Sequence, residues 1–375
     1  MDKERLKKIE RTRAKLLEKG LSPEGFCIVP FTNLILEPDG SVGVCRHKGT
    51  EFTIGHIEEN SISEIWNNHF IKRWRSEFLK GEAQICAKEI PHMHCNLCPH
   101  NNELLDDVIF SEHQDRPFIK LTANFNGRCN LQCQMCHVWK MPNGLYDKIN
   151  FWGPAQNDIF PYVKEIDMLS GEPFIQPDTY RLIDAVSSVN PSCRWMLTTN
   201  AHWKLNQKIK DALNKIDIKY IVLSIDSLNT ETYHKIRYPG DLQVVLKNID
   251  ALLEYNETRP QNQKGKIPFH LNFLVQKDNW KEVPNALNFC DEKGIIPFIT
   301  FLYEPTKFSL LTEEDDKKEE VFNFFLENLS EYDLNRIMRI LIPLASSLKS
   351  VAKAQAFDQL KCLRLNVKEK LEKTG

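Results

Sequence analysis

The sequence predicts an α/β protein: a full or partial TIM-like barrel of six βα units, preceded by a small hairpin-and-helix region and followed by a helical extension. Three observations predict it. From about Pro117 onward, six runs of β-type composition alternate with amphipathic helical stretches, the pattern of a parallel sheet built from βα units. Before them, FCIVPFTNLILEPDGSVGVC places apolar runs on both sides of Pro38-Asp39-Gly40, a turn signal. After them, residues 313–372 read as mostly helical. Right-handed crossovers curl such a βα series toward a barrel, and chemistry in barrels sits at the C-terminal strand ends.

Each element has its own warrant. Residues 3–19 are rich in Lys and Glu with a narrow apolar stripe (Leu6, Ile9, Leu16, Leu17), a solvated helix that Gly20 stops. Residues 26–46 read as a hairpin with a cysteine near each end. Ile54-Gly55-His56-Ile57 is a short extended piece. Ser61 and Glu64 form a capping box, opening a helix whose apolar face is Ile62, Ile65, Trp66, Phe70 and Trp74. The six expected strands are Phe118–Ala123, Glu165–Leu169, Arg194–Thr198, Tyr220–Ile225, Phe269–Val275 and Phe298–Tyr303. Helical stretches such as Thr179–Val189, Leu205–Ile216 and Val283–Glu292 separate them, and Arg259–Lys266 reads as a surface loop. The acids of EEDDKKEE suit the start of a helix. Four segments result: an N-terminal helix (1–25), a cysteine-bearing hairpin domain (26–115), the barrel (116–305) and a helical extension (306–375).

A chain of 375 residues suits one large domain or two ordinary ones. Its net charge of −2 removes the usual electrostatic argument for a nucleic-acid binder. No apolar run reaches the roughly 18 residues of a membrane span. The charged N-terminus has no apolar signal core, so a cytoplasmic chain with no membrane partner is expected. Eleven cysteines in such a chain point to metal or redox chemistry before cross-links. Cys193, Cys290 and Cys362 stand alone; for the first two a buried small hydrophobe is the default.

Cys129, Cys133 and Cys136 form C-x3-C-x2-C on the loop after the first barrel strand. Three thiolates so spaced can hold three irons of a [4Fe–4S] cluster and leave the fourth iron open. The alternative is zinc with His137 as fourth ligand, although His137 is poorly placed beside Cys136 to close a tetrahedron.

This motif, in this place, resembles the radical S-adenosylmethionine (SAM) superfamily, and residues 117–305 extend the likeness. Ser170-Gly171-Glu172-Pro173 after the second strand resembles the family's Gly-Gly-Glu-Pro, with Ser170 in the first glycine position. Thr198-Thr199-Asn200 resembles Thr-Asn-Gly, with Ala201 in the glycine position. Ser224-Ile225-Asp226 followed by Tyr233-x-x-x-Arg237 resembles a further family segment, and LNFLVQKDN the strand whose backbone reads adenine. The resemblance implies a partial (β/α)6 barrel in which Glu172 accepts from the SAM amino group. Ser224 meets the ribose or carboxylate, Arg237 grips the carboxylate, and Leu274, Val275 and Gln276 lie nearest the adenine. Asn200 reads equally as a ribose contact or a helix cap, and Arg237 equally as an exposed helix ion pair. Met135, His137 and Trp139 flank the cluster loop.

Cys27, Gly40, Cys45, Cys95 and Cys98, with Ile-Gly-His-Ile and Ser-Ile-Ser-Glu-Ile-Trp between them, resemble the SPASM and Twitch domains, here placed before the barrel rather than after it. That implies a second, auxiliary [4Fe–4S] cluster on Cys27, Cys45, Cys95 and Cys98, with Cys86 an extra cysteine of undecided role. A zinc ribbon using His92, His94 and His100 is the competing reading. The resemblance implies reductive cleavage of SAM to a 5′-deoxyadenosyl radical and hydrogen abstraction from a peptide or small-molecule substrate. It also implies a flavodoxin- or ferredoxin-type reductant. Tyr303, Glu304 and Asp226 fall near the expected barrel mouth. Two other classes stay open: an iron–sulfur electron-transfer or scaffold protein that cleaves no SAM, and a zinc-ribbon module on a degenerate barrel.

Overall fold

The computed structural model describes residues 3–23, 26–45, 53–82, 84–87, 107–260 and 265–373. Cys95 and Cys98, the histidines of the zinc-ribbon alternative, and positions 261–264 of the expected loop lie outside the described residues. The chain divides into two compact units, one of Met1–Arg128, Lys140–Met196 and Asp211–Asp217, the other of Cys129–Trp139, Leu197–Lys210 and Ile218–Gly375.

In the first unit, β1 (Asn33–Leu36), β2 (Ser41–Gly43) and β3 (Gly55–His56) form a small antiparallel ribbon, with Leu36 opposite Val42 and Ser41 opposite His56. The turn is the one expected: Asp39 Oδ1 accepts from the Ser41 amide at 3.0 Å, and Gly40 takes φ +87. A β-carbon on Gly40 would also stand 2.7 Å from Leu145. Val29–Thr32, read with the hairpin, is instead a short helical turn with Pro30 in its first turn, where the missing N–H costs nothing. β1 runs parallel to β4 (Lys120–Ala123), and β4 is parallel to β5 (Glu165–Met168). The cysteine-bearing hairpin is therefore the edge of the βα sheet itself, a pairing that local sequence does not announce.

The capping box forms as expected, with Glu64 N on Ser61 Oγ at 3.3 Å and Ser61 N on Glu64 Oε2 at 2.8 Å. The single helix expected beyond it is two. Ile62–Trp66 ends at Asn67, and Asn68 caps His69–Leu79 by accepting from Ile71 N at 3.0 Å. Arg75, fully buried, stacks 4.2 Å from the Trp66 ring and donates to the carbonyls of Pro30 and Glu112, tying this unit's outer segments together. Phe125, on the loop after β4, packs against Tyr146 and Trp152 with ring centroids 4.7 and 5.2 Å apart. That aromatic wall packs the start of the loop after β4 within the first unit.

β6 (Arg194–Thr199) carries the chain from the first unit toward the second. In the second unit, β7 (Asp217–Ser224), β8 (Phe269–Val275) and β9 (Ile296–Phe301) are parallel, with Ser224 opposite Asn272 and Val275 opposite Phe301. β8 has the bounds expected from sequence, and its side chains alternate buried and half-buried. Helices Leu242–Thr258 and Val283–Lys293 supply the apolar cover, their inward positions Val245, Ile249, Leu252, Ala286 and Leu287 all buried. The C-terminal extension is helical as expected, and Met338–Ser347 packs on β9. The fold is α/β, with parallel βα units arranged as a partial rather than a closed barrel. Among the described residues, no helix is long and apolar enough to cross a membrane.

Candidate functional site

The second unit holds the cysteine triplet. Cys129, Cys133 and Cys136 lie on an irregular loop, Cys133 buried, Cys129 half-buried and Cys136 exposed. The loop is pinned along its backbone. Gln134 N donates to Ile236 O at 2.9 Å, Gln132 N donates to Tyr238 O, and Cys136 N donates to Cys133 O at 3.0 Å. Gln134 Nε2 reaches Gln276 Oε1 at 2.8 Å, just beyond the end of β8.

Donors face two of the sulfurs. Leu131 N stands 3.4 Å from Cys129 Sγ, with Asn200 Nδ2 at 3.7 Å, and Arg237 Nη1 stands 3.9 Å from Cys133 Sγ. Hydrogen bonds of this kind favour the thiolate. Burial pushes the Cys133 thiol up, with Arg237 pulling against it.

Asn200 is fixed at both ends of its amide. Its Oδ1 accepts from His202 N at 2.8 Å and its Nδ2 donates to Asn130 Oδ1 at 3.0 Å. The first bond is a local turn, not the helix cap offered by the sequence, because the next helix begins only at Gln207; the contact with Cys129 was not expected either. Ala201, in the family's glycine position, takes φ +55, the left-handed region that glycine enters freely.

Arg237 departs most from its sequence reading. It is buried, so the exposed ion pair is excluded. Its Nη2 pairs with Asp226 Oδ2 at 2.7 Å while Nη1 faces Cys133. Two of the three nitrogens that would grip a SAM carboxylate are thus engaged within the chain. Asp226 is buried too, with Oδ1 accepting from Leu274 N at 2.9 Å. Burial pushes the Asp226 carboxyl up, against Arg237 and the Leu274 amide. Asp226 in turn holds Arg237 protonated against its own desolvation. A guanidinium does not lose its proton in water's range, so Arg237 carries its charge in this buried pair. Ser224 ends β7 two residues earlier, and Val275 ends β8 with its carbonyl accepting from Leu302 N at 2.9 Å.

The first unit holds Ser170-Gly171-Glu172-Pro173 as a tight buried turn. Gly171 takes φ +60, Ser170 Oγ donates to Asn126 O at 3.0 Å, and Glu172 N donates to Arg128 O at 3.0 Å. Ser170 is not among the residues at positive φ, so serine is tolerated where the family has its first glycine. The Glu172 carboxylate, wholly buried, accepts from Phe174 N at 3.2 Å. Gln176 Nε2 ties the Ser170 carbonyl to the Arg128 carbonyl. Sequence reasoning missed Asn126 and Gln176; the signal available was the polar run Asn124-Phe125-Asn126-Gly127 ahead of the first cysteine.

Of the N-terminal cysteines, Cys27 is buried and Cys45 half-buried, both in the first unit. Cys86 Sγ accepts from Trp74 Nε1 at 3.3 Å.

The triplet suits an iron–sulfur cluster better than zinc. A zinc ion draws four ligands to within about 2.3 Å of one point. The loop offers three cysteines, and His137, adjacent to Cys136, is poorly placed to close a tetrahedron as the fourth ligand. A cluster takes one thiolate at each of separate iron corners, and three sulfurs on one loop, two with N–H donors behind them, meet that need.

Comparison with known proteins identifies two domains. The model of the radical SAM superfamily matches residues 123–290, and that of an iron–sulfur cluster-binding domain, SPASM, matches residues 27–99. The chain carries a radical SAM domain, and a SPASM domain precedes it. The family's cofactors are SAM and the [4Fe–4S] cluster that binds it, and the SPASM domain indicates further iron–sulfur.

Among curated relatives, this radical SAM chain is similar to a probable GTP 3′,8-cyclase of Methanocaldococcus jannaschii. The two are 29% identical over 199 residues, covering 50% of this chain and 60% of that protein. The GTP 3′,8-cyclase of Aliarcobacter butzleri is 28% identical over 199 residues, covering 48% and 55%. The chain thus spans little more than half the length of these relatives. Among solved structures, Streptococcus suis SuiB bound to SAM aligns at 16% identity and a TM-score of 0.42, covering 82% of this chain and 70% of that one.

Proposed function

We propose that this enzyme cleaves SAM reductively and uses the resulting 5′-deoxyadenosyl radical to remove a hydrogen atom from a peptide or small-molecule substrate. The observation that carries this reading is the triplet loop: three cysteines, two of them with N–H donors on their sulfurs, pinned by backbone hydrogen bonds at Gln132 and Gln134.

In this proposal Cys129, Cys133 and Cys136 hold the cluster that binds SAM. When bound there, the cluster would supply the electron that reductive cleavage of SAM requires. Glu172 receives the SAM amino group, supported by its burial in a turn fixed through Asn126 and Gln176. Gly171 and Pro173 shape that turn around Ser170. Ser224, Asn200 and the end of β8 at Val275 face the nucleoside portion. Burial of Leu223, Ile225 and Phe273 beside them excludes water from a reactive radical. The segment 26–115 carries an auxiliary [4Fe–4S] cluster on Cys27, Cys45, Cys95 and Cys98 that assists electron transfer. A flavodoxin- or ferredoxin-type protein supplies the reducing electron.

The test is anaerobic reconstitution followed by dithionite and SAM, with 5′-deoxyadenosine measured in the wild type and in the Cys129→Ala/Cys133→Ala/Cys136→Ala variant. Formation in the wild type alone supports the proposal. Clusters present with no 5′-deoxyadenosine would leave an electron carrier or scaffold. The names of the curated relatives favour a second reading, a purine nucleoside triphosphate as substrate. Acceleration of SAM cleavage by GTP would select it.

A further inference from the structure

The Tyr233-x-x-x-Arg237 spacing is one helical turn. Both side chains leave the C-terminal end of helix Thr230–Ile236 together and both are buried. The backbone there is fixed twice, by Arg237 N on Tyr233 O at 2.8 Å and Gly240 N on Arg237 O at 2.7 Å. Gly240 leaves no room for a side chain: a β-carbon would stand 2.8 Å from the Tyr233 ring and 3.2 Å from Leu131. The guanidinium is thus aimed by packing rather than free to search for a ligand. Its targets are Asp226 Oδ2 at 2.7 Å and Cys133 Sγ at 3.9 Å.

We infer that Arg237 is a positioning residue for the sulfur of Cys133: it donates to that sulfur, Asp226 holds it in place, and the pair sets the reduction potential of the cluster. This rests on the reading of Cys133 as an iron ligand. The physical reason is charge placed against a redox centre in a dry site. Reduction adds an electron to the cluster. A guanidinium touching a ligand sulfur stabilises that added charge, and hydrogen bonds to cluster sulfurs raise the potential. Asp226 opposes it from farther back, since Arg237 stands between the carboxylate and the sulfur in the chain of contacts. With little water to screen them, both effects persist at high salt. The pair therefore has two halves of opposite sign, and that gives the inference its test.

The experiment is a potentiometric titration of the reconstituted full chain, followed by electron paramagnetic resonance and run without SAM. The SAM-cluster signal is identified by its loss in the Cys129→Ala/Cys133→Ala/Cys136→Ala variant. Arg237→Gln is expected to move its midpoint to more negative potential. Asp226→Asn, which leaves the guanidinium charge uncompensated, is expected to move it the other way. Arg237→Lys restores most of the wild-type value. Midpoints unchanged in Arg237→Gln and Asp226→Asn, with weaker SAM binding in Arg237→Gln, overturn the inference and return Arg237 to the SAM carboxylate. If Arg237→Gln holds no iron, the opposed shift is sought between Asp226→Asn and wild type, and its absence overturns the inference equally. A Cys133→Ala chain that keeps the signal removes the reading underneath, a result distinct from unshifted potentials.

Discussion

Gly171 and Arg128 stand so close that nothing larger than hydrogen fits between them. A β-carbon on Gly171 would lie 2.2 Å from the Arg128 carbonyl oxygen, and φ there is +60. The two effects add. A left-handed φ costs an alanine about 1–2 kcal/mol, and a clash with backbone cannot be relieved by rotating a side chain.

Gly171→Ala should therefore displace the turn that carries Glu172 and weaken SAM binding by more than tenfold. Gly144 is the control, because it too has positive φ (+77) but nothing within 4 Å of a built β-carbon. Gly144→Ala should cost only about 1–2 kcal/mol of stability, the strain of the left-handed φ itself, and leave SAM affinity alone. Isothermal titration of both variants measures this, and equal affinities would sink the role given to the turn.

Ala201 offers a finer balance. Its φ of +55 costs about 1–2 kcal/mol relative to glycine, yet its buried methyl contributes about 0.8 kcal/mol. Ala201→Gly should then fall within about 1 kcal/mol of wild type in urea denaturation. Ala201→Val has no compensating gain and forces a β-branched residue into the left-handed region. It should lose about 2 kcal/mol or more. Comparable midpoints for the two variants would contradict the conformation.

What the sequence revealed follows how local each feature is. β8 was legible to its ends because Phe269, Leu271, Phe273 and Val275 alternate with less buried neighbours over seven residues. The Ser61–Glu64 box was legible because both partners sit within one turn. The helical turn at Val29–Thr32 was hidden by its β-rich composition, since position and Pro30 outweigh propensity there. The parallel pairing of β1 with β4 joins residues more than eighty positions apart, and no local pattern records it. The same holds for Asp226 and Arg237: each stands in a recognisable motif, but only packing shows that the two meet and that Cys133 is the third member.

Cys193 and Cys290 should be chemically silent. Burial pushes both thiols up to about 12. At pH 8 the thiolate fraction is then about 10⁻⁴, against roughly a fifth for a free cysteine. The sign also fixes a linkage. A thiol whose pKa is raised by folding stabilises the fold below the unfolded value, and that contribution is lost as pH climbs from 9 toward 12. Anaerobic labelling of the holoenzyme with iodoacetamide at pH 8 should modify the exposed Cys362 and spare these two. Labelling of Cys193 at the rate of Cys362 would show that its site opens to solvent.

Iron content bears on the largest claim, that the chain holds two clusters rather than one. Reconstituted wild type should carry about eight irons and the Cys129→Ala/Cys133→Ala/Cys136→Ala variant about four. The remaining four should follow the N-terminal cysteines. Cys27 is already buried, and Cys45 lies two residues beyond β2 of the ribbon that pairs with the barrel sheet. Cys27→Ala/Cys45→Ala should thus lose about four irons while 5′-deoxyadenosine formation under dithionite persists, since dithionite reduces the SAM cluster directly. Retention of zinc in place of those four irons would reassign residues 26–115 to a structural ribbon. Loss of SAM cleavage together with the N-terminal iron would mean instead that the edge strands hold the barrel in shape. Circular dichroism of the double variant distinguishes that outcome, because unfolding of an edge paired to β4 would spread into the sheet, whereas loss of a cluster alone would not.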